Sequence, residues 1–155
     1  MREIIKAIIL SCILTIFLRT VLPINICKVN GNSMNPTYED GDIILIYKNK
    51  EILRYDIVIV KTEDDGKIIK RVVGLPNDIV EIRTSGKVYI NGIESEFSIY
   101  QAELINIDED IKVHLKEDEY FVIGDNVNHS LDSRVLGAIK ENNILFSIPI
   151  NKKNK

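Results

Sequence analysis

Between residues 42 and 123 the chain repeats one pattern: a short run of β-branched or aromatic residues, then a turn-forming pair. The runs are 42–47, 56–60, 67–73, 78–82, 87–90 and 119–123. They are separated by Asp40-Gly41, Asp65-Gly66, Pro76-Asn77, Ser85-Gly86, Asn91-Gly92 and Gly124-Asp125-Asn126. Runs this short, bounded by residues that favour turns, read as strands. Asn91-Gly92 is a strong two-residue hairpin signal. One weak helical stretch lies at 98–105. The spacing predicts a mainly β domain, a sandwich or partly open barrel. There is no internal repeat, no low-complexity linker and no phosphate-cradling glycine loop.

The first 22 residues differ in kind. Met1-Arg2-Glu3-Ile4-Ile5-Lys6 leads into an apolar run from Ala7 to Leu18, Arg19 interrupts it, and Pro23 ends it. The uninterrupted run is short for a membrane span, yet no small-x-small cleavage site follows, and Ile26 precedes Cys27 where a lipoprotein signal needs a small residue. A helix over 4–22 would extend about 28 Å, close to a hydrocarbon core of about 30 Å. Lys6 and Arg19 would lie within snorkelling reach of the headgroups. We therefore expect residues 1–27 to be an uncleaved, single-pass membrane anchor and residues 28–155 to be a β-rich domain outside the cytoplasm. Basic residues flank both ends of the anchor and barely set its orientation, but an N-terminus in the cytoplasm is allowed because long domains translocate largely regardless of charge.

Removing Arg2, Glu3, Lys6 and Arg19 from the chain totals of 20 basic and 23 acidic residues leaves 17 and 22, a formal charge of −5. A domain of that sign is a poor match for nucleic acid, whose binding depends on phosphate neutralisation. The lysines of 151–155 read as a solvated end. Cys12 and Cys27 are too differently situated for an evident intrachain bridge, and the domain after them has no cysteine.

Two polar residues stand out against this background. Ser33 sits in Gly31-Asn32-Ser33-Met34-Asn35-Pro36-Thr37, and Lys70 sits in Ile68-Ile69-Lys70-Arg71-Val72-Val73. A serine hydroxyl attacks only when a base takes its proton, and histidine is the usual base. The chain has two histidines, His114 and His129, neither in a segment that looks like a catalytic strand. A lysine can serve if burial keeps it neutral. Alternation in a strand puts Ile68, Lys70 and Val72 on one apolar face. Each residue also has an ordinary reading. Serine among Gly, Asn and Pro is usually a turn residue, and lysine in an apolar strand usually guards an edge.

A third polar stretch, Gly124-Asp125-Asn126-Val127-Asn128-His129-Ser130-Leu131-Asp132-Ser133-Arg134, follows directly on a strand. It reads on its own as a surface loop with an exposed Asp132–Arg134 ion pair worth about 0–1 kcal/mol. Taken together and in order, the anchor and these polar stretches resemble the bacterial type I signal peptidases, membrane-bound serine proteases that remove signal peptides from exported proteins. The resemblance covers the anchor, the box from Gly31 to Thr37, Gly41-Asp42-Ile43-Ile44-Leu45, the box from Lys70 to Asp78, and Gly124 to Arg134. The short stretch from Gly86 to Lys116 resembles the compact Gram-positive type.

The resemblance implies a signal-peptidase-like β fold, with Ser33 as nucleophile and Lys70 as general base. Ser130 would orient the lysine amine by a hydrogen bond, Asp132 and Arg134 would hold the last loop, and Met34 would pack under the substrate. The Ser33 N–H would serve the oxyanion hole, together with any second donor from the Gly31 region. The implied partners are secretory preproteins with small residues at the first and third positions before the cut, and membrane lipid. No cofactor and no metal is implied. Three positions depart from the family pattern: Tyr38 where leucine is common, Tyr55 where glycine usually precedes Asp56, and Asn77 in place of glycine. Asparagine tolerates the left-handed geometry that glycine would supply.

Three other readings compete. A self-cleaving repressor-type protease shares the dyad, but those proteins are soluble and lack this N-terminal run. A membrane-tethered binding domain would need only the strands and turns. A Ser33–His129–Asp132 triad uses the same nucleophile with a histidine base.

Overall fold

The computed structural model describes residues 1–21, 24–47, 51–97, 107 and 109–148. The expected helix at 98–105, the lysine-rich end 151–155, Leu22 and the stop at Pro23 lie outside the described residues. A helix, α1 (Arg2–Val21), opens the chain. Its side chains are described as far as Phe17, and large apolar residues are exposed on every side of it, from Ile4 and Ile5 through Leu10 to Ile16 and Phe17. Among the described residues no helix is long and apolar enough to cross a membrane.

Seven strands form one antiparallel sheet: β1 (Ile24–Lys28), β2 (Ile43–Tyr47), β3 (Ile57–Lys61), β4 (Lys67–Gly74), β9 (Glu119–Ile123), β10 (Ile139–Lys140) and β11 (Ile144–Ile148). Their order is β1-β2-β11-β3-β4-β9-β10. The second sheet holds β5 (Ile79–Ile82), β6 (Val88–Ile90), β7 (Ile93–Glu94) and β8 (Ile111–His114), in the order β7-β6-β5-β8. The mainly β expectation holds, and all six predicted runs are strands to within a residue or so at each end.

β1 changes the boundary drawn from sequence. Residues 24–27, assigned above to the anchor, pair with β2 in register, Ile26 opposite Leu45 and Cys27 opposite Ile44. The sheet therefore begins at Ile24, with two residues between it and the end of α1. The segment reads poorly as a strand because its five residues, Ile-Asn-Ile-Cys-Lys, follow an apolar run that absorbs them. β10 is two residues long and exists only through its pairing with β9, which no local pattern announces.

β4 carries the architecture. Along it, Ile68, Lys70 and Val72 face one way, and Ile68 and Val72 join a cluster with Val58, Val60, Tyr120 and Val122. Ile69 faces the other way, into the cluster of Val29, Ile44, Ile46 and Ile59. Val73 joins a third cluster with Val80, Ile82, Phe121 and Ile123, which packs the second sheet against the first. At the junction, a Cβ on Gly74 would lie 2.5 Å from Val80 Cγ2 and 2.7 Å from Leu115 Cδ1. Only a residue without a side chain lets the two sheets approach so closely.

The left-handed positions follow the turns. Asn91 (φ 51°) and Gly92 (φ 81°) close the β6–β7 hairpin as expected, and Asn77 takes φ 68°. Tyr55 takes φ 73° without being glycine. It is held there from several directions. Its N–H donates to Val72 O, its carbonyl accepts from Arg71 Nη1, its hydroxyl pairs with Ser95 Oγ, and its ring stacks on Phe97.

Candidate active site

Ser33 stands on a compact turn between β1 and β2. The chain enters through Val29, which is buried, and whose N–H donates to Asp42 O while its carbonyl accepts from Gly41 N. Gly31, at φ 87°, bends the chain in a conformation that suits glycine, and the Asp40 carboxylate accepts its N–H at 2.7 Å. Met34 is completely buried and floors the turn, with its carbonyl accepting from Tyr38 N. Ser33 is thus lifted on a turn whose underside is packed.

Lys70 comes from the middle of β4, directly opposite Val58 on β3. It is 2 % exposed. Its Nζ donates to Ser33 Oγ at 2.8 Å and to the Ile69 carbonyl at 2.7 Å. Burial pulls the amine down from its ordinary value to about 8; Asp132 and Asp125 partly offset this by favouring the ammonium, and Arg134 acts with burial. Loss of hydration is the largest cause, as for any cation moved away from water.

The last loop packs against this pair. Asp132 is fully buried and accepts from Gly124 N (3.0 Å), Ser130 Oγ (2.7 Å), Arg134 Nε (2.8 Å) and Arg134 Nη2 (2.9 Å). It also caps the short helix α2 (Ser133–Leu136) by accepting from Arg134 N. The Arg134 guanidinium reaches further, to Val127 O at 2.8 Å. The ion pair read from sequence as exposed is therefore enclosed and forked, the strong geometry for such a pair. A Cβ on Gly124 would stand 2.2 Å from Ser130 Oγ and 2.6 Å from Ser33 O. The strand end, the Ser33 turn and the last loop meet at a residue that must be glycine.

One contact differs from what the resemblance implies. Ser130 donates to Asp132, while the hydrogen bonds of Lys70 among the described residues go to Ser33 and Ile69. Ser130 belongs to the cluster by way of Asp132, because a hydroxyl has one proton and the buried carboxylate takes it. The histidine alternative is not assembled: the contact of the His129 ring among the described residues is with Asn126 Oδ1, and Asp132 is occupied by Ser130, Gly124 and Arg134.

Sequence reasoning assigned no role to Arg71, Asp125 or Thr37. Arg71 and Asp125 form a forked, nearly buried pair, with Nε to Oδ1 at 2.7 Å, and Thr37 Oγ1 donates to the same carboxylate. This pair ties β4, the Ser33 turn and the last loop together. The signal was present in Lys70-Arg71, a polar pair within an apolar strand, and in Gly124-Asp125-Asn126, which directly follows one. Ser33 and Lys70 open onto a cleft of about 450 Å³, lined by Ile26, Cys27, Val29, Ile68 and Ile69 among others.

Matching sequences and structures agree with this architecture. The family model for "Signal peptidase, peptidase S26" matches residues 1–149, and the chain belongs to that family of serine endopeptidases. It is 35% identical over 134 residues to signal peptidase I V of Bacillus subtilis, covering 76% of this chain and 79% of the relative. It is 34% identical over 145 residues to a signal peptidase I of Bacillus licheniformis, covering 85% and 77%. A crystal structure of a signal peptidase I from Enterococcus faecalis superimposes with a TM-score of 0.53 at 30% identity, covering 64% of this chain and 98% of that one.

Proposed function

We propose that the protein is a membrane-anchored endopeptidase that removes signal peptides from exported preproteins, with Ser33 as nucleophile and Lys70 as general base. The 2.8 Å contact between Lys70 Nζ and Ser33 Oγ carries the reading. Once the amine is neutral, the contact reverses and Ser33 donates its proton to Nζ as Oγ bonds to the scissile carbonyl carbon. The tetrahedral intermediate collapses, the C–N bond breaks, and Lys70 passes the proton to the leaving amine. The same amine then takes a proton from the water that hydrolyses the acyl-enzyme. A positioned base of this kind contributes about 10²–10⁴-fold.

Ser33 N–H is the oxyanion donor in this mechanism. Gly31 N–H is engaged by Asp40, so it is not a second one. Asp132, Arg134 and Ser130 hold the last loop against the dyad, and Met34 supports the turn from below. The signal peptide lies extended in the cleft, where small side chains at the first and third positions before the cut fit between Val29 and Ile69. Residues 67–70 of β4 pair with β3 on one side, and β9 begins its pairing only at Arg71. That edge suits strand addition by a substrate, as does the nearby edge strand β1.

Helix α1 is the single-pass anchor in this reading, with its N-terminus in the cytoplasm and the β domain outside. Its large apolar side chains from Ile4 to Phe17 are exposed, which suits lipid as their surroundings. The test is cleavage of a preprotein in lipid vesicles by wild type, Ser33→Ala, Lys70→Ala and Lys70→Arg. All three variants should be inactive yet folded, since a guanidinium cannot give up its proton at a usable pH. Substantial cleavage by Lys70→Arg would mean that position 70 supplies charge rather than basicity, and the mechanism would fall. His129→Ala should cleave nearly as wild type does; strong loss there would revive the histidine reading.

A further inference from the structure

The nucleophile turn is gripped at one point by a residue that the dyad does not involve. Asn126 Nδ2 donates to the Asn32 carbonyl at 3.0 Å, and Asn126 N donates to the Ser33 carbonyl at 3.0 Å. The Asn32 oxygen can only accept, so the amide nitrogen must be the end that faces it. The other end, Oδ1, lies 3.4 Å from His129 Nδ1.

These two bonds act on the two peptide planes that flank Ser33. The plane between residues 32 and 33 contains the Asn32 C=O and the Ser33 N–H, locked antiparallel across a planar trans peptide. Fixing the oxygen therefore fixes the direction of the N–H, which points away from Asn126. No hydrogen bond from the Ser33 N–H is found among the described residues. A donor on the carbonyl also polarises the peptide and strengthens its N–H as a donor, because linked hydrogen bonds reinforce one another. The second bond fixes the plane between residues 33 and 34, so both sides of the Ser33 Cα are held. Asn126 is itself set by Gly124 two residues earlier, where the turn and the last loop are in contact.

We infer that Asn126 is a positioning residue for the oxyanion hole: through the Asn32 carbonyl it aims and polarises the Ser33 N–H toward the charge that develops on the substrate. The inference rests on the reading of Ser33 as nucleophile and its N–H as the oxyanion donor. It separates Asn126 from Asp132 and Arg71, which hold whole segments together and touch neither plane's carbonyl.

The experiment uses the full-length protein in lipid vesicles, with Asn126→Leu, which keeps the side-chain volume, and Asn126→Ala. Two probes are compared, a peptide aldehyde ending in alanine and the matching peptide alcohol. With the aldehyde, Ser33 Oγ bonds to the carbonyl carbon, the C=O π pair moves onto the oxygen, and Lys70 takes the hydroxyl proton. The new oxyanion then needs the Ser33 N–H. The alcohol offers no electrophilic carbon and reports the cleft alone.

Losing one direct oxyanion donor costs about 10²–10³-fold, so weakening one at second hand should reduce both kcat and aldehyde affinity by about tenfold. Alcohol affinity, KM and the apparent pKa of kcat should stay as in wild type. Equal weakening of both probes, no weakening of either, or a moved pKa would overturn the inference, as would failure of both variants to fold. If wild type binds the aldehyde no more tightly than the alcohol, Ser33 is not the nucleophile, and the functional reading fails along with the inference.

Discussion

The cluster around Lys70 and the outer face of the second sheet both carry dense charge, joined by hydrogen bonds of similar length. On the second sheet, Glu81 takes Arg83 and Lys112 at 2.7 Å each, and Lys87 takes Glu94 at 3.0 Å, with the cationic side chains about half exposed. Around Lys70, Asp132 and Arg134 are 0% and 8% exposed, and Arg71 and Asp125 are 11% and 9% exposed. Water screens the first set and can replace any partner that leaves. The second set has given up its hydration, so each group depends on the partners named above. What the difference teaches is that bond length says little about consequence. The enclosed network fixes geometry because every alternative leaves a buried group unpaired, whereas the exposed one tolerates rearrangement.

The sharpest way to break this contrast is at Gly124. A methyl there would meet Ser130 and the Ser33 carbonyl at distances no Cβ tolerates. Gly124→Ala should lower preprotein cleavage by about 10²-fold or more, since small misplacements of reacting groups have costs of that size. Activity near wild type would mean the segments can move apart freely, and the enclosed network would lose its claim to set geometry.

Asp132→Ala comes next. It removes the acceptor for Ser130, Gly124 N and Arg134 at once and leaves a buried guanidinium without its partner. Urea unfolding should register a loss of about 3–5 kcal/mol. A change within about 0.5 kcal/mol would place this pair with the exposed ones.

The pH profile sharpens the comparison further. Burial lowers the Lys70 amine to about 8, so the neutral form gains on the ammonium as pH rises through that region. Cleavage should rise with pH through that region and then level off, whereas a free lysine would delay the rise to near pH 10.4. Ser130→Ala should lower the plateau while preserving activity, because the base survives and only its surroundings loosen. Rates that level off below pH 7 would require a different base.

The smallest effect belongs to the second sheet. Lys87→Ala or Lys112→Ala should leave cleavage unchanged and the thermal midpoint close to that of wild type. A clear loss of activity from either would show that the exposed network reaches the site after all.

Legibility followed the same division. The predicted strands were recovered because alternation of β-branched residues and turn pairs such as Asn91-Gly92 act over a few neighbours. Lys70 could be picked out as a polar residue within an apolar run, whereas Ser33, an ordinary turn residue by itself, stood out only together with Lys70 and the family resemblance. β1, β8, β10 and β11 were not read as strands: β1 follows an apolar run that absorbs it, and the two residues of β10 are defined only by their pairing with β9. The depth of Asp132 was likewise hidden: a loop sequence gives no sign of whether it folds over a strand end or out into water.

The amino-acid sequence by itself thus determined the mainly β architecture, the apolar N-terminal segment and the two candidate site residues Ser33 and Lys70, because those depend on local pattern and on chemical identity. Only the tertiary structure decided that Lys70 Nζ meets Ser33 Oγ across 37 residues of chain. It also decided that Asp132 turns inward to Ser130 and Gly124, and that Asn126 grips the carbonyls of Asn32 and Ser33. The physical reason is range. Periodicity and turn chemistry act between near neighbours, while desolvation and hydrogen-bond direction depend on which distant segments close over a group, and only the packed chain settles that.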